Sequence, residues 1–288
     1  MQPADSLPGS AETIWQAVMA MGLPSLAGFS VEVLPEIDST NTELMRRARS
    51  GRCEPTLLVA QQQTAGRGRL GRQWASTAGD SLTFSLGLLL QPQAWDALSL
   101  AVGVSIASNL HPRVQLKWPN DLWLDGRKLA GILIETVSPV LAHEASVTGL
   151  TAGVGSPRYA VVGVGINIAP RPHEGLSVAP AALTELLPHA SLAQALVAVA
   201  APLLRDLLLF EREGFAAFAR RFAALDALQG RTVSLSLSAQ ASSPGAAYTP
   251  ASGTAGGVDP RGALLVHTAA GVQHISSAEV SVRPAPPV

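Results

Sequence analysis

Residues 66–72 read Gly-Arg-Gly-Arg-Leu-Gly-Arg, and Gln73 and Trp74 follow. Three glycines and three arginines in seven positions are a poor interior for a helix or strand, because glycine loses more backbone freedom on folding than any other residue. The segment is a loop. Residues 56–62 before it read as a strand, and residues 81–90 after it as a long one. The loop therefore joins two strands of a sheet. Its composition also limits its chemistry. Gly lets a backbone approach a ligand closely, and Arg offers five donors in a fork suited to phosphate and carboxylate oxygens. One reading is a mobile cationic loop that closes over an anion. The other is a solvated surface turn.

A second cluster weighs on that choice. Lysine occurs twice among the 20 basic residues, at Lys117 and Lys128. Lys is a compact point charge that can be aimed at one oxygen, and Arg does not replace it there. Lys117 opens Lys-Trp-Pro-Asn-Asp (117–121), and Lys128 opens Lys-Leu-Ala-Gly-Ile-Leu (128–133). With Ile-Asp-Ser-Thr-Asn (37–41), Gln63, the 66–74 loop and Gly-Val-Gly-Ile-Asn (163–167), these pieces make the sequence resemble the bacterial biotin protein ligases. The resemblance runs from about residue 31 to the C-terminus. It implies an α+β fold: a mixed β-sheet with helices, class II synthetase-like, over residues 1–229, and a small SH3-like β-barrel over residues 230–288.

Composition bounds the alternatives. With 47% hydrophobic and 14% charged residues, there is ample material for a core. A net charge of −1 gives no global reason to expect nucleic acid or an anionic membrane as partner. Cys53 stands alone, which excludes an intrachain disulfide framework and fits a reducing cytoplasm. It reads as an ordinary buried or half-buried thiol. No Lys or Arg precedes Arg46, so a secretory signal is not expected. The apolar stretch 196–210 is interrupted by Pro202, Arg205 and Asp206 and is shorter than the ~20 residues a bilayer demands. A buried helix pair is expected there.

Along the chain, an apolar helical segment is expected near residues 14–21 and a strand at 31–34. Thr40-Asn41-Thr42-Glu43 has the capping-box pattern and predicts a helix over 41–50 that Thr40 caps. A helix is expected over 94–110, and strands over 114–118, 128–136 and 160–168. Residues 149–158 read as a connection, and helices follow between 191 and 228. After Gly230 the texture changes. Short strands are expected at 233–237, 254–258, 263–267, 272–276 and 279–282, with a low-complexity loop at 239–250.

The activity implied by the resemblance is biotin–[biotin carboxyl-carrier protein] ligation. Biotin carboxylate attacks the α-phosphate of ATP, giving biotinyl-adenylate, and a carrier lysine amine then attacks the activated carbonyl. Two anions must meet, so fixed positive charge and Mg²⁺ are needed. Lys128, Arg67, Arg69 and Asp121 are the catalytic candidates. Lys128 is assigned to transition-state charge and Arg69 to retention of the adenylate. Asp121 would orient Mg²⁺ or the incoming amine, or cap a turn. The neutral ureido head of biotin needs paired donors and acceptors. Ser39, Thr40, Asn41, Gln63, Gly68 and Gly131 are placed there with Arg67, Arg69 and Lys128. For Ser39 and Thr40 the bland alternative is helix capping alone, and for Gln63 a strand end. The nucleotide is assigned to Arg72, Trp74, Lys117, Asn120, Gly163, Gly165 and Asn167. Trp74 stacks on adenine or plugs the core. Gly131, Gly163 and Gly165 suggest close backbone approach to a ligand. No protein metal site is expected, since the six histidines show no ligand spacing.

The expected partners are ATP, biotin and a biotin carboxyl carrier protein, in the cytoplasm, for a monomer or homodimer without membrane or specific DNA binding. Few residues precede the match and none is basic, so a DNA-binding repressor function is not expected. A biotin sensor that has lost its DNA-binding part, a lipoate-type ligase or transferase, and a non-catalytic biotin binder are the competing readings.

Overall fold

The computed structural model describes residues 6–139, 156–171, 180–237, 252–276 and 280–284. The expected connection at 149–158 lies mostly outside these residues, and the 239–250 loop lies wholly outside them.

Seven strands form the main sheet: β1 (Ser30–Ile37), β2 (Thr56–Gln63), β3 (Ser81–Leu90), β4 (Gln115–Lys117), β5 (Asp121–Leu124), β6 (Arg127–Val137) and β7 (Arg158–Asn167). Their spatial order is β1-β2-β3-β7-β6-β5-β4. Only β1 and β2 run parallel; the other neighbours are antiparallel. β7 is therefore central, and it is buried from Tyr159 to Asn167. Its side chains alternate between two unlike faces, as the strand period of two requires.

One face carries Leu57, Val59, Leu82, Phe84, Leu86, Val162, Val164 and Ile166 into the main core. The helices α1 (Leu7–Met19), α3 (Leu98–Leu110) and α4 (Leu192–Glu213) supply the rest of that core. Among the described residues, the helix on the other face is α2 (Thr40–Arg49). Leu44, Met45 and Ala48 of α2 pack on Leu58, Tyr159 and Val161 in a smaller cluster. Past the N-terminus of α2 a loop rather than a helix lies over that face, and the site is there.

Two expectations are corrected. The cap of α2 is Ser39, whose Oγ accepts from the N–H of Thr42; Thr40 is the first helical residue and its hydroxyl is free for other work. The segment around Pro202 is one 22-residue helix, not a pair. A mid-helix proline costs about 3 kcal/mol. Leu196, Leu203, Leu204 and Leu207 are each 1% exposed or less, and burying one such side chain stabilises by about 1.5–3 kcal/mol, so packing prevails. Ser191 and Gln194 close a capping box at its start. By length and apolar content α4 could cross a membrane, but its inner face is built into the main core. Smaller differences are that α3 begins at Leu98, and that the sequence reading missed β5.

After the short helix α5 (Ala219–Leu225), the strands β8 (Thr232–Leu237), β9 (Ser252–Val258), β10 (Leu264–Thr268), β11 (Gly271–Ile275) and β12 (Val280–Pro284) form an antiparallel sheet. Its order is β11-β10-β9-β8-β12. Val233, Leu235, Ala255, Leu264 and Val266 belong to the same buried cluster as the main core.

Leu203→Ala should lower the unfolding free energy by about 2–5 kcal/mol through the cavity it leaves. A denaturant titration checks this. A midpoint within error of the parent would show that α4 is not held by this packing.

Candidate functional site

The N-terminus of α2 lies over the place where β7 has no side chains. Gly163 and Gly165 face that side, and Ser85 and Thr83 of β3 stand opposite them in register. On the far side Gly163 pairs with Leu133, and Gly165 with Gly131. A Cβ on Gly163 would run into the amide of Asn41, and one on Gly165 into the Trp74 ring. The close approach expected at these glycines is therefore made by the protein's own Asn41 and Trp74.

A directed hydrogen-bond chain crosses this floor. Asn41 Nδ2 donates to Glu135 Oε2 at 3.0 Å and to the Leu133 carbonyl at 3.3 Å. That leaves Oδ1 to accept from Ser85 Oγ at 2.6 Å. With the Ser85 proton used, the Thr40 hydroxyl proton lies between two acceptors, Ser85 Oγ at 2.7 Å and Gln63 Oε1 at 3.1 Å. Gln63 Oε1 then accepts from the Thr40 N–H at 2.8 Å. Ser39, Thr40, Asn41 and Gln63 are all buried. They present neutral donors and acceptors at one end of a pocket.

The Gly/Arg loop closes the pocket. It is folded on itself: the Gly68 N–H donates to the Arg72 carbonyl at 2.7 Å, and the Trp74 N–H to the Gly66 carbonyl at 2.9 Å. Leu70 and Gly71 at its tip both have positive φ, 56° and 70°. Two arginines pin it. Arg67 pairs with Glu135 at 3.1 Å, and Arg69 Nη1 donates to Asn120 Oδ1 at 3.1 Å. Trp74 ends the loop over Gly165, with Lys128 Nζ at 5.7 Å and the Arg171 guanidinium at 5.3 Å from the ring centre. Its Nε1 is buried and has no hydrogen-bond partner among the described residues.

The other end of the pocket is cationic. Lys128 Nζ lies 2.7 Å from Asp121 Oδ1. Burial pushes the Lys117 ammonium below its ordinary pKa. Asp121 opposes that shift, while Lys128, Arg72 and Arg69 add to it. Burial likewise works against the charge on Arg69. Lys117 rests on the Trp123 ring at 5.9 Å. Four cations thus act on one another around one carboxylate, an arrangement that favours an incoming polyanion.

The pocket brings together Ser39, Thr40, Asn41, Gln63, Arg67, Gly68, Arg69, Trp74, Asn120, Lys128, Gly131, Gly163 and Gly165. Asp121 adjoins it through Lys128. Arg72 is exposed, and with Lys117 it stands behind the lining as part of the cationic group. Asn167 plays a structural part. Its Nδ2 donates to the carbonyls of Lys128 and Ala181 at 3.3 and 3.1 Å, which fixes the backbone that carries Lys128. Sequence reasoning missed Ser85, Thr83, Leu133, Glu135 and Arg171. Leu133 and Glu135 carry one signal, since strand alternation places them on the face of Gly131.

Comparisons with known proteins place the chain beside the biotin protein ligases. The chain matches the Biotin/lipoate A/B protein ligase family over residues 33–150 and the Biotin protein ligase C terminal domain over residues 249–283. It is 36% identical to the bifunctional ligase/repressor BirA of Escherichia coli K12, over 91% of this chain and 77% of that one. It is 33% identical to a biotin–[acetyl-CoA-carboxylase] ligase of Paracoccus denitrificans, over 86% and 98%. Its fold matches the Aquifex aeolicus biotin protein ligase solved with biotin and ATP, at a TM-score of 0.68 and 28% identity, over 88% and 99%.

Gly165→Ala should unseat Trp74, because overpacking of this kind costs about 1–3 kcal/mol when neighbours cannot move. Acrylamide quenching of the Trp74 fluorescence, taken as the difference from a Trp74→Phe protein, should increase. Unchanged quenching would show that the ring does not need the glycine.

Proposed function

The chain belongs to the biotin protein ligase family, and we propose that it joins biotin to ATP as biotinyl-adenylate and passes the biotinyl group to a lysine of a biotin carboxyl carrier protein. The observation that carries this reading is the polarity of one pocket. Its neutral end suits a ureido group, its cationic end suits phosphates, and one loop covers both. Ser39, Thr40 and Gln63 would orient the ureido head, with Asn41 holding the floor. A carboxylate oxygen would then attack the α-phosphorus, and pyrophosphate would leave. Lys128 is the charge best placed for the shifting phosphate charge. Arg69, Arg72, Lys117 and Asn120 would receive the polyphosphate. In the second half the carrier amine attacks the carbonyl and AMP leaves.

Mg²⁺ fits this site as a passenger on the nucleotide, its usual mode of binding. Among the described residues no three His, Cys, Asp or Glu side chains converge, and Asp121 is the carboxylate that would share the ion. When bound, it neutralises phosphate charge. The Lys128 ammonium beside Asp121 does the same from the protein side. A division into residues 1–229 for chemistry and 230–288 for a small companion domain, a cytoplasmic setting, and a monomeric or homodimeric state complete the proposal. The match to a biotin-ligase C-terminal domain favours biotin over lipoate.

Biotin-dependent exchange of pyrophosphate into ATP tests the activity directly. Lys128→Ala should reduce the rate by about 10²–10³, the cost of one lost charge-stabilising contact, with the fold intact by circular dichroism. Exchange near the parent rate would remove Lys128 from the mechanism. Arg69→Gly should act differently. It removes the anchor to Asn120 and loosens the loop backbone, so adenylate should still form yet dissociate about ten- to a hundredfold faster, as expected for a lost charged hydrogen bond. Adenylate held as firmly as in the parent would rule out a clamp at Arg69.

A further inference from the structure

We propose that Glu135 is a positioning residue that links occupancy of the neutral end of the pocket to closure of the Gly/Arg loop. The inference deepens the proposed ligase reading and rests on it for the identity of the ligand. Glu135 lies on β6, two strand repeats beyond Gly131, and Asp121 pairs with Gly131 across the neighbouring strand. Its carboxylate is the terminal acceptor of two separate systems. Asn41 Nδ2 reaches Oε2 at 3.0 Å from the pocket floor. Arg67 reaches both oxygens from the loop, Nη1 to Oε2 at 3.2 Å and Nη2 to Oε1 at 3.1 Å.

The donor sequence makes the link directional. Thr40 shares its proton between Ser85 and Gln63, Ser85 gives its proton to Asn41, and Asn41 donates to Glu135. Every hydroxyl proton is committed. A ligand that takes hydrogen bonds at Thr40 therefore perturbs Ser85, then the pose of Asn41, and with it the acceptor that holds Arg67. Asn41 cannot shift freely, because it occupies the space left by Gly163. A closed floor thus holds Glu135 in the place that receives the loop. Arg69 anchors the same loop at Asn120, whose Nδ2 donates to the Ile132 carbonyl at 2.8 Å. Both loop anchors are therefore referred to β6, and Glu135 is the one joined to the neutral end.

Glu135→Gln tests this in the full chain. Gln keeps the size and one acceptor but cannot pair with the guanidinium as a carboxylate does. Arg67 is half exposed, so the effect is that of a partly screened ion pair, about two- to fivefold. Three measurements are made on the variant: trypsin cleavage after Arg67, Arg69 and Arg72, followed by mass spectrometry; KM for biotin in pyrophosphate exchange; and kcat in the same assay. Cleavage should quicken two- to fivefold without ligand, and KM should rise by a similar factor while kcat stays within twofold. A double variant, Arg67→Gln with Glu135→Gln, should be no worse than the poorer single variant. Cleavage at the parent rate overturns the latch. Faster cleavage with an unchanged KM overturns the link to the pocket. Failure of the parent protein to catalyse exchange would instead overturn the ligase reading, while the cleavage rates would still decide whether Glu135 holds the loop.

Discussion

Two missing side chains on the central strand govern the rest of the site. Gly163 and Gly165 stand on the face of β7 that carries α2, and the space of their absent Cβ atoms is taken by Asn41 and Trp74. A strand normally gains from branched or aromatic side chains that pack on its pleat, and glycine forgoes that gain. Here the gap is filled from outside the sheet. The amide arrives from the N-terminus of a helix and the indole from the end of a loop. Helix, sheet and loop are thereby brought into register at one point, and the pocket is the space between them.

That seat also explains how much like charge the site tolerates. Lys117, Lys128, Arg69 and Arg72 repel one another, and burial already pushes Lys117 and Arg69 toward their neutral forms. Asp121 offsets part of this through its contact with Lys128. The remainder is an unbalanced positive potential held by packing. Such a site is costly while empty and is relieved by an anion. The aromatic faces under the cations lessen the cost, with Trp123 under Lys117 and Trp74 beside Lys128, since a ring face attracts a cation wherever water is partly excluded.

Much of this was legible in the sequence, and the failures have specific causes. The bounds of β3 were read correctly because strong alternation and flanking polar residues left no competing period. β5 was missed because four residues in a tight hairpin show no period at all. The cap of α2 was misplaced by one residue because Ser39 and Thr40 both qualify by type, and only the backbone angles choose Ser39. Pro202 was read as a break, yet local propensity yields when a long apolar face has a core to meet. In the site, residue types that stand out by themselves were found: lone lysines, clustered arginines, glycines in strands. Ser85 and Glu135 were not, because a serine and a glutamate in strands are ordinary in isolation. Their roles come from partners 44 and 68 residues away, and no local pattern encodes those distances.

The second sheet acts on the site through the hairpin that carries the cationic end. Lys117, Asn120 and Asp121 sit at the turn between β4 and β5, short strands at the edge of the main sheet. An edge hairpin of three or four residues per strand has little stability of its own. It is held from the far side. Trp118 is buried, and its Nε1 donates to the Gly262 carbonyl at 3.0 Å. Ala227 donates its N–H to the Leu116 carbonyl at 2.8 Å. Gly262, at φ 78°, fits against Ala97 at the start of α3 where a side chain would collide. Separating the second sheet would expose the Trp118 ring and leave its N–H unpaired. The hairpin would then lose the packing that holds Asn120 in the pocket lining and Lys117 behind it. The C-terminal sheet therefore fixes where those charges sit, although among the described residues it places no charge in the pocket itself.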